Sequence, residues 1–157
     1  MSVKFERVLL PTRFSTLSRR AAEYVRLLAS RFDCEIHVVH VVTQTDLVVE
    51  AGIPGSPIPV FGPPVAELLD EARRNLVGFV ADALPGVLIP PVTHAAVGGV
   101  TDELIRYTRD RAIDLVVMGT HADGMVKRIV FGSVGKGVLE GASCPVMLVP
   151  VHDTPRP

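Results

Sequence analysis

The sequence has no tryptophan, only two cysteines and a formal net charge of −1 over 157 residues, and each shortage removes a class of protein. Cys34 and Cys144 are too few and too far apart for a disulfide framework or a cysteine zinc site. Each lies beside an apolar run, which fits a small buried thiol. A near-neutral balance supplies no basic face for nucleic acid or anionic membrane, so neither partner is expected. No apolar run approaches the roughly 20 residues of a membrane-spanning helix. Met1–Arg7 lacks the apolar stretch of a secretion signal, so the expected location is cytoplasmic.

Catalytic patterns are missing too. The loop after the first apolar run, Pro11-Thr12-Arg13, has no Gly-x-Gly-x-x-Gly, which argues against a dinucleotide dehydrogenase. It also lacks the clustered carboxylates of a receiver domain. Gly135-Lys136-Gly137 falls inside a helical stretch, the wrong context for a P-loop. No nucleophile–base pair is supported, and no catalytic residue is assigned. His37 and His40 are three apart on one strand, so they face opposite sides and cannot share a metal. His94 is expected to be solvated on an edge strand.

What remains is the content of one α/β domain, expected over residues 1–152, with 48% hydrophobic residues. Val8–Leu10, Ile36–Val42, Leu115–Met118 and Val146–Val149 are short, Val-rich runs of the kind buried on both faces of a parallel sheet. Pro91–Val97, interrupted by Thr93 and His94, suits an edge strand. Helical spacing links Leu17 to Phe32 behind a Ser15 N-cap, and Val65 to Ala83 behind Pro64. Thr101 is placed to cap a third helix and Ser133 a fourth, which ends near Gly141. Gly135 and Gly137 each cost that last helix about 1 kcal/mol relative to Ala, so packing or a ligand must help hold it. The order β-α-β-α-β-α-β-α-β predicts a three-layer, doubly wound, five-stranded parallel sheet with helices on both faces. Residues 43–63 read as a long Pro/Gly-rich loop, and 153–157 as a flexible tail.

Ligands of such sheets bind beyond the carboxyl ends of the strands, where the strand order reverses. Two loops are expected to converge there: Pro11–Ser15, and the stretch from Gly119-Thr120-His121-Ala122 to Gly132-Ser133. Small residues let backbone amides approach an anion, and a helix start adds unpaired N–H groups. Ser133 can offer its hydroxyl, and Lys127 and Arg128 add positive charge. Spacing alone leaves open a plain strand-to-helix connection with turn glycines.

With its Gly119, Ala122 and Gly132-Ser133 spacing, the chain resembles the universal stress protein family, in its small single-domain nucleotide-binding form. Val8-Leu9-Leu10-Pro11-Thr12, His40-Val41, Asp114 through His121 and Cys144 through Val149 carry the likeness over nearly the whole chain. The resemblance implies an adenine nucleotide alpha hydrolase-like sheet of order 3-2-1-4-5. It implies ATP or a related adenine nucleotide, with Mg2+ accompanying it, at the loops after strands 1 and 4. Adenine would lie near Pro11, Val41 and Met118, with Thr12 and Arg13 beside it. Ribose and phosphates would follow Gly119, Thr120, His121 and Ala122, then Gly132, Ser133, Val134 and Gly135. It further implies a stress-response homodimer joined through Val146–Pro150, with slow ATP hydrolysis at most. Arg13 replaces a usual Asp and Ala122 a usual Gly. The alternative is therefore a member that has lost ATP and works as a protein-interaction module.

Overall fold

A computed structural model describes residues 3–53, 56–123, 128–129 and 132–152. Its elements, in chain order, are β1 (Arg7–Pro11), α1 (Thr16–Phe32), β2 (Glu35–Val42), α2 (Gln44–Leu47), β3 (Val48–Ile53) and β4 (Ser56–Phe61). There follow α3 (Val65–Ala83), β5 (Val92–Val97), α4 (Val100–Asp110), β6 (Leu115–Asp123), β7 (Arg128–Ile129), α5 (Ser133–Gly141) and β8 (Val146–His152).

The parallel sheet runs β5-β2-β1-β6-β8, which is the predicted order 3-2-1-4-5. Short β7 pairs antiparallel with the end of β6. Alternation along each strand sends side chains to two cores, as the two-residue period requires. Val8, Leu10, Ile36, Val38, Leu115 and Val117 pack with α1 and α3. Leu9, Val39, Val41 and Val116 pack with Leu104 and Tyr107 of α4 and Val138 of α5. This two-sided burial is why the strands read as unbroken apolar runs.

Helix α1 begins where its cap predicts: the Ser15 hydroxyl accepts from Ser18 N–H at 3.4 Å. Two other caps fall elsewhere. Gly99, not Thr101, is the N-cap of α4, and Gly132, not Ser133, is the N-cap of α5. Thr101 instead lies against α5. A Cβ on Gly137 would stand 2.5 Å from Thr101 Cγ2, and one on Gly141 would stand 2.3 Å from Ile105 Cδ1. These residues recur every four positions on both helices, so the glycines line the stripe where α4 and α5 meet. Close packing offsets the poor helical propensity of α5.

The stretch 43–63 differs from the expected loop. It carries α2 and an antiparallel ribbon with Val48 opposite Phe61 and Ile53 opposite Ser56. Pro57 and Pro59 are two residues apart, so they share one edge. A two-stranded ribbon leaves an outer edge where no N–H donor is needed. The tail 153–157 lies outside the described residues. His94 is half-buried rather than solvated, its ring 5.2 Å from that of Tyr107.

Candidate functional site

A cavity of about 650 Å³ opens at the carboxyl ends of β1, β2 and β6. The loop after β1 forms one wall and is held by its own short bonds. Thr12 N–H donates to Val39 O at 2.8 Å, and the buried Thr12 hydroxyl accepts from Phe14 N–H at 2.9 Å. Arg13 N–H donates to Ser18 Oγ at 3.2 Å. Phe14 takes the left-handed conformation (φ 60°), which is unusual for so bulky a residue. Its ring lies 4.5 Å from that of His40 and 6.1 Å from that of Phe79. His40 Nδ1–H donates to Thr12 O at 2.8 Å, which ties the ends of β1 and β2 together. Arg13 leaves this loop with an exposed side chain at the cavity.

The opposite wall comes from β6 and the start of α5. Met118, Gly119, buried Thr120 and exposed His121 follow one another along it. Gly119 has a packing role that spacing did not suggest: a Cβ there would lie 2.2 Å from Leu17 O. Gly132, Ser133, Val134 and Gly135 close the wall. Gly132 has no side chain with which to cap α5, and an added Cβ would meet no described residue within 4 Å. The first turn of α5 thus borders the cavity without a side-chain cap, and the N–H groups of a helix start suit an anion. Lys127 lies outside the described residues.

The cavity thus gathers Pro11, Thr12, Arg13 and Val41 with Met118, Gly119, Thr120 and His121, and with Gly132 through Gly135. Of the residues predicted for the site, Ala122 has its side chain outside the described residues. It belongs to β6, paired with Ile129 on one side and His152 on the other, and extended backbone there does not call for glycine.

Sequence reasoning overlooked Asp46. Thr43 N–H and Thr43 Oγ1 donate to Asp46 Oδ2 at 2.7 and 2.8 Å, and both residues line the cavity. These two donors, backbone first, hold the Asp46 carboxyl below its ordinary range. A Thr-x-x-Asp capping pattern at Thr43–Asp46 was the available signal. Val39, Leu104 and Leu148 supply further apolar lining.

A second, smaller cavity of about 300 Å³ lies between α4 and β5. Beside it His37 is buried, with Nε2 2.7 Å from Glu35 Oε1 and Nδ1 2.8 Å from the Tyr107 hydroxyl. Burial lowers the pKa values of His37 and His94. This is a structural use of His37, because both ring nitrogens are occupied within the fold. Among the described residues, no group of three or more His, Cys, Asp and Glu is placed to hold a metal.

The model of the universal stress protein family matches residues 4–150. The chain belongs to that family. Universal stress protein MJ0531 of Methanocaldococcus jannaschii is 28% identical over 145 residues, covering 92% of this chain and 82% of that protein. The solved structure of MJ0577 from the same organism has a TM-score of 0.72 at 22% identity, covering 97% of this chain and 100% of the other. An Archaeoglobus fulgidus universal stress protein solved in complex with dAMP has a TM-score of 0.63 at 19% identity, covering 94% and 98%. In this universal stress protein the family's glycine spacing is thus realised as two different devices. Gly119 admits helix α1, while Gly132 and Gly135 meet no described residue where a side chain would begin at the start of α5.

Proposed function

We propose that this universal stress protein binds an adenine nucleotide, ATP or a mononucleotide, in the cavity between the loops after β1 and β6. The observation that carries this reading is the uncapped start of α5, where Gly132 through Gly135 border a cavity with an apolar floor of Val39, Val41 and Met118. Helix N–H groups and the positive end of the helix dipole suit phosphate, and the aliphatic floor suits a base. The dAMP complex of the Archaeoglobus fulgidus relative supports the choice of an adenine nucleotide. Gly132 through Gly135 offer the Ser133 hydroxyl but no carboxylate. Mg2+ would therefore be held by phosphate oxygens and water.

The chain acts, in this reading, as a cytoplasmic stress-response homodimer rather than as an enzyme of rapid turnover. Strand β8 ends the sheet, and among the described residues its outer edge pairs with no strand. An edge of that kind is readily covered by the same edge of a second copy, through Val146–Pro150. Titration calorimetry with ATP and with dAMP is expected to give saturable binding, and nucleotide should be carried through purification. No heat at millimolar nucleotide would overturn the binding reading. A monomer by light scattering at high protein concentration would overturn the dimer.

A further inference from the structure

Asp46 is the one carboxylate among the described residues that line the main cavity. Its two oxygens are not equivalent. Oδ2 accepts from both Thr43 N–H and Thr43 Oγ1, whereas Oδ1 receives no hydrogen bond from a described residue. One oxygen thus anchors the side chain, and the other keeps its lone pairs for whatever fills the cavity.

Charge decides which way round a nucleotide lies. The Asp46 carboxylate repels phosphate oxygens, partly offset by Arg13 and His40, which lie near enough to act on it, whereas the start of α5 attracts them through its unpaired N–H groups. Asp46 follows β2, and the Gly132–Gly135 turn lies beyond β6, with β1 between the two strands. Strands β2 and β6 are themselves two strand spacings, about 10 Å, apart. Phosphates at α5 would leave the base to the apolar floor of Val39 and Val41, in the same cavity that Asp46 lines.

We propose that Asp46 Oδ1 accepts a hydrogen bond from the exocyclic amino group of a 6-aminopurine, so that Asp46 selects adenine against 6-oxopurines. The inference rests on the nucleotide reading above and adds the residue that reads the base. A 6-oxo group held at the same point would set a carbonyl oxygen against an ionised carboxylate, and its neighbouring N1–H could reach Oδ1 only if the base shifted along its edge, away from the position that the phosphates at α5 and the apolar floor give it.

The Thr43 anchor makes the test specific. In Asp46→Asn the side-chain oxygen stays with the two Thr43 donors, so the amide NH2 takes the place of Oδ1. An acceptor becomes a donor at the same point. Calorimetric titration of the wild-type protein with AMP and with inosine monophosphate is expected to show a preference of roughly tenfold or more for AMP. Asp46→Asn is expected to turn that preference toward inosine monophosphate, and Asp46→Ala to abolish it. If Asp46→Asn keeps the wild-type ratio, Asp46 only caps α2 and the proposal fails while the nucleotide reading stands. A change in the AMP to dAMP ratio instead of the AMP to inosine monophosphate ratio would assign the carboxylate to a ribose hydroxyl, and also overturns it. Wild-type protein that binds neither purine nucleotide overturns both readings.

Discussion

Gly119 on β6 and Leu17 at the start of α1 are packed so closely that a Cβ on the glycine would lie 2.2 Å from the leucine carbonyl oxygen and 2.6 Å from its carbonyl carbon. The obstacle is backbone, so it cannot rotate away. Gly119→Ala is expected to push α1 off the sheet, lowering stability by about 1–3 kcal/mol. Because α1 carries the Pro11–Ser15 loop at its start, nucleotide affinity should fall with it. Urea denaturation and calorimetry on the same variant check both parts. Unchanged stability would show that the helix start yields freely.

Gly132 presents the opposite case, with φ −63°, ψ 161° and no described residue within 4 Å of an added Cβ. Gly132→Val is expected to leave the thermal midpoint close to that of the wild type. Its branched side chain would fill the approach to the first-turn N–H groups of α5 and abolish phosphate binding. Retention of ATP affinity by a folded Gly132→Val protein would place the anion elsewhere.

Two glycines of α5 should respond to alanine with opposite signs. At Gly135 nothing lies within 4 Å, so Gly135→Ala gains helical propensity and should stabilise by up to ~1 kcal/mol. At Gly137 the new methyl meets Thr101 Cγ2 at 2.5 Å, and a β-branched side chain has little freedom to move aside. Gly137→Ala should therefore destabilise by about 1 kcal/mol net, the overpacking outweighing the propensity. Adding Thr101→Ala should recover most of the loss. Denaturation of the four proteins as a double-mutant cycle measures the coupling, which would be near zero if the helices were not in contact there.

The pH dependence of stability has a sign that burial determines. Desolvation lowers the pKa values of His37 and His94 below 6.5 in the folded protein, so the unfolded chain binds more protons than the native one in that window. Stability is complete above about pH 6.5 and declines as pH falls toward the folded pKa values. Thermal midpoints should drop between pH 7.5 and pH 5.5, and His37→Gln combined with His94→Gln should flatten that slope. An equally steep slope in the double variant would assign the effect to other groups.

Much of the fold could be read from local pattern. Val-rich runs such as Val8–Leu10 and Leu115–Met118 fitted strands covered on both faces, and Ser15 at the head of a helical stripe marked the start of α1. The glycine spacing from Gly119 to Ser133 located the cavity. Its meaning was less legible. Gly119 looked like part of an anion cradle, but the contact with Leu17 reaches across about a hundred residues and leaves no trace in the sequence around either partner. Prolines within 43–63 suggested a loop because their effect depends on which edge they face, and pairing across a ribbon sets that edge. Asp46 carried a recognisable capping pattern with Thr43, yet nothing local tied it to a cavity formed by β1, β6 and α5.

By itself, then, the sequence determined the alternation of strands and helices, the two-faced burial of the sheet and the position of the glycine turn. Each of these follows from periodicity or backbone preference within a few residues. Only the tertiary structure decided that Gly119 serves helix packing and that Gly137 and Gly141 form a helix contact. It also brought the Asp46 carboxylate to the cavity that Gly132 through Gly135 line. Those outcomes depend on which distant surfaces meet, and close packing leaves no freedom to meet them otherwise.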